Sequence, residues 1–219
     1  MIAGVVSPLP EITDWNNWID ELAIKGYAIA DGFLSISEAA TLRGELMQRY
    51  AEGELSRART GSGPNIRIVE NVRGDHIQWV EPSNLDFPYF FERVTAVMDL
   101  IRTTCFVPVH YSEMHFAVYP VGAYYKRHLD VFAAHKSRKI SMVCYLNPDW
   151  LPEYGGQLRM YLPDETGAES HLDIDPIAGR LVVFRSELME HEVLPALRER
   201  CSITGWFSDT DPWLRTVLR

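Results

Sequence analysis

His128-Leu129-Asp130 places an imidazole and a carboxylate two positions apart in a strand-like stretch. Side chains two apart on a strand share a face, so both can point into one barrel interior. Alone the tripeptide says little, because His171-Leu172-Asp173 repeats it. The residues that follow distinguish the first copy. A mononuclear non-haem Fe(II) site needs two His and one carboxylate on one side of the metal, with its other positions open. His191 lies far enough beyond Asp130 for the chain to cross a barrel several times and return, but leaves Asp173 room for only about two strands. Arg200 stands in the next strand-like run. A guanidinium buried in a barrel needs an anion, and its fork suits a carboxylate bidentately. A metal with open positions beside a carboxylate-binding Arg is equipment for a 2-oxoacid co-substrate.

Such residues need elements to hold them. Trp15, Trp18, Ile19 and Leu22 recur at helical spacing behind the caps Thr13 and Asp14, and Gly26 ends that helix. Tyr27–Ala30 reads as a short strand. Ser35 with Glu38 forms a capping box that opens a helix to about Tyr50, and a third helix is expected over Phe90–Thr104. The stretch Ala51–Asn71 carries Arg57, Arg59 and Arg67 among Gly and Pro, and reads as a long mobile loop. From His76 onward short strands recur: His76–Glu81, Met114–Pro120, Ala123–Val131, Lys139–Asn147, Gln157–Leu162, His171–Pro176, Arg180–Arg185, Glu190–Leu194 and Cys201–Ser208. The pattern is mainly β with flanking helices, a double-stranded β-helix (jelly roll) supported by N-terminal helices. Period-two counting puts Ser141, Val143 and Tyr145 on one face, and Arg200, Ser202, Thr204 and Trp206 on another. Without repeat or linker, one domain is expected: residues 1–70 as helical support and mobile loop, 71–209 as jelly-roll core, 210–219 as tail.

Composition narrows the class. A chain of 219 residues, 47% hydrophobic, suits one globular domain. A formal net charge of −9 argues against direct nucleic-acid binding and against a membrane surface. No apolar run nears the ~20 residues of a membrane span, and Ile2–Val6 before Pro8 is too short for a signal peptide. Cys105, Cys144 and Cys201 form neither a disulfide framework nor a zinc pattern. A cytoplasmic protein is expected.

The run from Tyr119-Pro120 through His128-Leu129-Asp130, Tyr145-Leu146-Asn147, Gly155-Gly156, Gly179-Arg-Leu-Val-Val-Phe184, His191-Glu192-Val193 and Arg200 resembles the prolyl 4-hydroxylase-type Fe(II)/2-oxoglutarate oxygenases. Within them it is most similar to the hypoxia-inducible-factor prolyl hydroxylase branch and its bacterial relatives, through Arg73-Gly-Asp75-His-Ile-Gln-Trp79-Val-Glu81. The likeness spans about Asn71 to Asp209. It implies that His128, Asp130 and His191 bind Fe(II), that Arg200 pairs with the distal carboxylate of 2-oxoglutarate, and that the Tyr145 hydroxyl assists. Tyr119 and Thr204 match pocket positions near the metal and co-substrate. Tyr125 and Arg138 match the substrate entrance, with Arg73, Asp75 and Trp206 as further substrate-binding candidates. Arg73 and Asp75 can also be read as an ion pair fixing the loop. The loop before Arg73 matches a segment that covers the substrate, although its sequence differs from that of the animal enzymes and Tyr119–His128 is one residue shorter.

The implied reaction is hydroxylation of a prolyl residue in a protein substrate, consuming O2 and releasing succinate and CO2, with ascorbate as a candidate reductant. Asp130 in place of a small residue favours hydroxylation over halogenation. A ribosomal protein or translation factor is the expected substrate. The alternatives are the same chemistry on a free amino acid or other small molecule, and a non-enzymatic metal-binding jelly-roll module. His76, His110, His115, His135 and His171 are expected to be structural or solvated, and Cys201 to fill the core.

Overall fold

A computed structural model of the chain describes residues 9–11, 13–58, 72–81, 83, 89–131, 137–164 and 166–211. Helix α1 (Trp15–Lys25) starts where the Asp14 carboxylate accepts the N–H groups of Asn16 and Asn17, and stops at Gly26, whose φ of 80° is the left-handed cap that glycine takes without strain. Helix α2 (Ile36–Ala51) opens on the capping box: the Ser35 hydroxyl accepts from the Glu38 N–H, and the Glu38 carboxylate accepts from the Ser35 N–H. Helix α3 (Tyr89–Thr104) buries Phe90, Val94, Val97 and Ile101, spaced along one face. All three helices share one apolar cluster with the outer face of a large sheet.

That sheet has seven antiparallel strands in the order β1 (Tyr27–Ala30), β9 (Leu181–Arg185), β6 (Arg138–Tyr145), β11 (Arg200–Ser208), β4 (Tyr111–Tyr119), β3 (His76–Val80) and β2 (Ser56–Arg57). A second sheet of four carries β5 (Tyr125–His128), β10 (His191–Val193), β7 (Leu158–Pro163) and β8 (Glu169–Ile174). This is the two-sheet jelly roll on a helical support that the strand pattern predicts. The seven-stranded sheet is buried on both sides. Along β6, Ile140, Met142 and Cys144 face the helices while Val143 and Tyr145 enter the core between the sheets. Along β9, Leu181 and Val183 face outward to the helices while Val182 and Phe184 face inward. The central strands therefore read as continuous apolar runs, with the site residues as their interruptions.

Two local expectations change. Ser56–Arg57, inside the stretch read as a loop, pairs with Ile77 and His76 to form the sheet edge. The rest of that stretch, with Arg59 and Arg67, lies outside the described residues, as do His135 and most of the expected tail. Strand β5 ends at His128, so Asp130 stands past the last paired residue rather than two positions along a strand. The chain joins the two sheets at residues 72–80. Arg73 bridges to Tyr125 of β5, the Lys126 N–H donates to the Val72 carbonyl, and the next residues pair with β4. Among the described residues, no helix is long and apolar enough to cross a membrane.

Candidate active site

Antiparallel pairing of β10 with β5 sets His191 directly opposite His128, with the ring centroids 4.3 Å apart. Asp130, just beyond β5, turns its carboxylate between them. His128 Nε2 lies 3.6 Å from Oδ1 and His191 Nε2 3.8 Å from Oδ2. One ligand atom from each residue falls within 4.8 Å of the others. The protons on these rings can be placed by counting donors. His128 Nδ1 meets the Lys126 carbonyl at 2.8 Å, and His191 Nδ1 meets the Met189 carbonyl at 2.9 Å. A carbonyl only accepts, so each Nδ1 carries a hydrogen, and each Nε2 is the nitrogen turned toward Asp130. Burial, and then the neighbouring His128, push the His191 imidazole down to about 4, so it is neutral at pH 7. Burial works to raise the Asp130 carboxyl, but His191, His128 and a hydrogen bond from Ser141 outweigh it and hold it below the usual range. Two ring nitrogens thus face an ionised carboxylate, each within 4 Å of one of its oxygens. That donor set fits a divalent cation of the first transition row.

Each ligand has its own support. His128 stacks on Tyr125, with centroids 3.7 Å apart and planes 18° apart, and the Arg73 guanidinium covers the far face of Tyr125 at 4.3 Å. Arg73 in turn is held bidentately by Asp75, at 2.7 and 2.5 Å. His191 meets the edge of Phe184. Ser141 donates to Asp130 Oδ2 at 2.6 Å.

Arg200 opens β11 and is only 2% exposed. Its Nε donates to the Gly156 carbonyl at 2.9 Å, and its guanidinium lies between the rings of Tyr119 and Tyr145 at 4.9 and 5.0 Å. No carboxylate among the described residues forms an ion pair with it. The hydroxyl of Tyr145, also buried, has no hydrogen-bond partner among the described residues. A buried cation and an unmatched hydroxyl side by side are costly unless an anion joins them. The pair fits a carboxylate.

His128, Asp130, His191 and Arg200 line one cavity of about 620 Å³. Tyr119, Thr204, Tyr125, Arg138, Arg73 and Trp206 line it as well. Tyr145 stands behind Arg200. Asp75 is buried, and its contact is with Arg73 rather than with the cavity. Arg138 is anchored to Glu113 at 2.7 Å and lies 3.5 Å over Trp206. His171 and Asp173 sit on the exposed side of β8, where Asp173 pairs with Arg159. The second tripeptide is a surface ion pair.

Four residues that sequence reasoning passed over belong here. His115, read as structural or solvated, is 3% exposed and walls the cavity, stacked on Trp206 and edge-on to Trp79. Its inward position follows from the same alternation that points Ala117 and Tyr119 inward. Gly156 takes the left-handed φ of 69° that glycine tolerates, and a Cβ there would crowd Ala196, Trp150 and the Arg200 side chain at 3.1 to 3.3 Å. Alternation along the strand puts Ser141 on the face of Tyr145 but gives it no role, and Ser186 carries no local signal.

Fold and site together define a jelly-roll protein built for one metal ion with an anionic co-ligand. Residues 114–208 match the model of the 2OG-Fe(II) oxygenase superfamily. The chain is 41% identical to a Pseudomonas putida prolyl-4-hydroxylase of known structure, over 90% of this chain and 99% of that one, with a TM-score of 0.79. A Trichoplax adhaerens prolyl hydroxylase, solved with a hypoxia-inducible-factor oxygen degradation domain peptide, is 28% identical, covers 93% and 92% of the two chains, and has a TM-score of 0.77. The hypoxia-inducible factor prolyl hydroxylase of Caenorhabditis elegans is 30% identical over 84% of this chain and 27% of its own length. The chain spans less than two thirds of the length of the curated relatives it matches. It belongs to the 2OG-Fe(II) oxygenase superfamily, whose metal is Fe(II) and whose co-substrate is 2-oxoglutarate.

Proposed function

We propose that this chain is a 2-oxoglutarate-dependent dioxygenase that hydroxylates a prolyl residue of a protein. The observation that carries the reading is one cavity holding both a His-Asp-His cluster and a buried guanidinium that has no counter-ion among the described residues. His128, Asp130 and His191 would hold Fe(II). Arg200 and Tyr145 would take the distal carboxylate of 2-oxoglutarate, with Tyr119 and Thr204 beside it. When bound, the iron and co-substrate supply the oxidising power that activates O2 and inserts one oxygen atom into a C–H bond.

The protein's part is placement and exclusion of water. Val143, Leu158, Phe184 and Val193 form a dry wall around the ligands. Trp79, Trp206 and Tyr125 line the cavity, an aromatic lining that suits an apolar ring such as that of proline, and the lining continues outward past Gln78 to Ser56 and Arg57, which suits a chain better than a single amino acid. The likeness to prolyl hydroxylases, one of them solved with a peptide, supports a protein substrate. As targets we name ribosomal proteins and translation factors in the cytoplasm, on the strength of the likeness to a bacterial enzyme, with ascorbate as reductant.

The test is capture of substrates by the iron-loaded chain from a cell extract, followed by mapping of proline oxidation. O2-dependent succinate release with a one-oxygen mass gain on a proline supports the reading. The same gain on a small molecule of the extract, with none on protein, overturns it.

A further inference from the structure

A hydroxyl in the middle of a central strand of an apolar sheet has to be accounted for. Ser141 lies on β6 between β9 and β11, opposite Phe184 on one side and Trp206 on the other, and shares its face with Val143 and Tyr145. Ser141 and Ser186 are both sealed from solvent. Burial of a hydroxyl is unfavourable unless it is hydrogen-bonded, and here the bonding is directional. A serine has one proton. Ser141 gives its proton to Asp130 Oδ2 at 2.6 Å, so in its 2.8 Å contact with Ser186 it must accept. Ser186 is itself tied to β6, its N–H donating to the Lys139 carbonyl. The relay runs Ser186 to Ser141 to Asp130, and each bond polarises the next toward the carboxylate. Asp130 needs such a hold, because it stands past the end of the β5 ladder.

We propose that Ser141, backed by Ser186, is a positioning residue for the metal: it fixes the rotation of the Asp130 carboxylate, engaging Oδ2 and presenting Oδ1 to the ion. This rests on the reading of His128, Asp130 and His191 as ligands. Rotation about the last bond of an aspartate is otherwise loose, and it decides whether one oxygen or both face a metal, and so how many positions stay open for co-substrate and O2.

The isosteric pair Ser141→Val and Ser141→Thr tests the idea, because both add the same bulk and only Thr keeps the hydroxyl. Mn(II) affinity of the purified full chain, followed by the EPR signal of free Mn(II), is expected to be roughly 10- to 100-fold weaker in S141V than in S141T. The d–d spectrum of the Co(II)-loaded protein should change in S141V alone. Ser186→Ala should lose less than S141V and add nothing to it in the double variant, since Ser186 acts through Ser141. Equal Mn(II) affinity and identical Co(II) spectra in S141V and S141T would overturn the proposal. His191→Ala is the control: retained Mn(II) binding there means that the ligand reading has failed, not this one. Metal-free melting curves of S141V and S141T should coincide, which separates positioning from folding.

Discussion

A guanidinium sealed in a barrel against two tyrosine rings and one carbonyl is a poor choice for stability and a good one for binding. Replacement of Arg200 by Met should therefore stabilise the metal-free protein, by an amount of order 1 kcal/mol in urea unfolding. It should also weaken 2-oxoglutarate binding to the Mn(II)-loaded protein by at least ~10²-fold in calorimetry, the scale of one lost buried charge pair. A destabilised R200M that still binds the co-substrate would contradict both. His115 makes a pH-dependent prediction. Burial, helped by Arg73 and Arg138, pushes its imidazole down to about 3 from 6.5 in the unfolded chain. Below pH 6.5 the unfolded chain takes up the proton first. The contribution of neutral His115 is thus complete above pH 6.5 and lost toward pH 3, with a slope of up to ~1.4 kcal/mol per pH unit. His115→Phe keeps a ring against Trp206 without the proton, so its stability should fall less than that of the parent between pH 7 and 5. Parallel unfolding curves at both pH values would sink that account.

At the scale of elements, the helices are written in short-range signals and were legible. Asp14, Gly26 and the Ser35–Glu38 box act within four residues, and the structure starts and stops α1 and starts α2 there. The box is also a tertiary joint, because Arg93 of α3 holds the Glu38 carboxylate with two bonds of 2.9 Å and donates to the Phe33 carbonyl. Ser35→Ala should cost about 1 kcal/mol, read as a lower urea midpoint at unchanged slope. Burial works against the Glu38 charge, but Arg93 and Ser35 hold its carboxyl below the ordinary range. The support this gives is present above the unfolded pKa and lost as pH falls, so the penalty of Glu38→Gln should shrink at acid pH. Strands were legible in number but less so at their ends. Strand β2 (Ser56–Arg57) is too short to carry a period and forms because β3 offers it an edge. The HxD spacing suggested one strand for both ligands, yet β5 ends at the histidine, and Asp130 needs a serine from β6 instead.

The two sheets are joined by the corner at residues 72–80 and by the candidate metal site, where β5 and β10 of the small sheet meet a carboxylate held from the large one. A cation bound there should act as a cross-link. Mn(II) at about 100 times its Kd is expected to add ~2.7 kcal/mol to unfolding, seen as a rise in melting temperature that chelator reverses and His191→Ala abolishes. No rise in the parent protein would remove metal from the account. By itself, the sequence determined the residue types of the candidate cluster, the helices with their caps, and the alternation that turns Tyr119, Tyr145 and Thr204 inward, because propensity, capping and periodicity act over a few residues. Tertiary structure alone decided that His128 rather than His171 faces a second histidine, that Arg200 finds no carboxylate among the described residues, that His115 walls the cavity, and that Ser186 and Ser141 reach Asp130. Those facts depend on the register of strands distant in the chain, and one step of register would turn every one of these side chains to the opposite face.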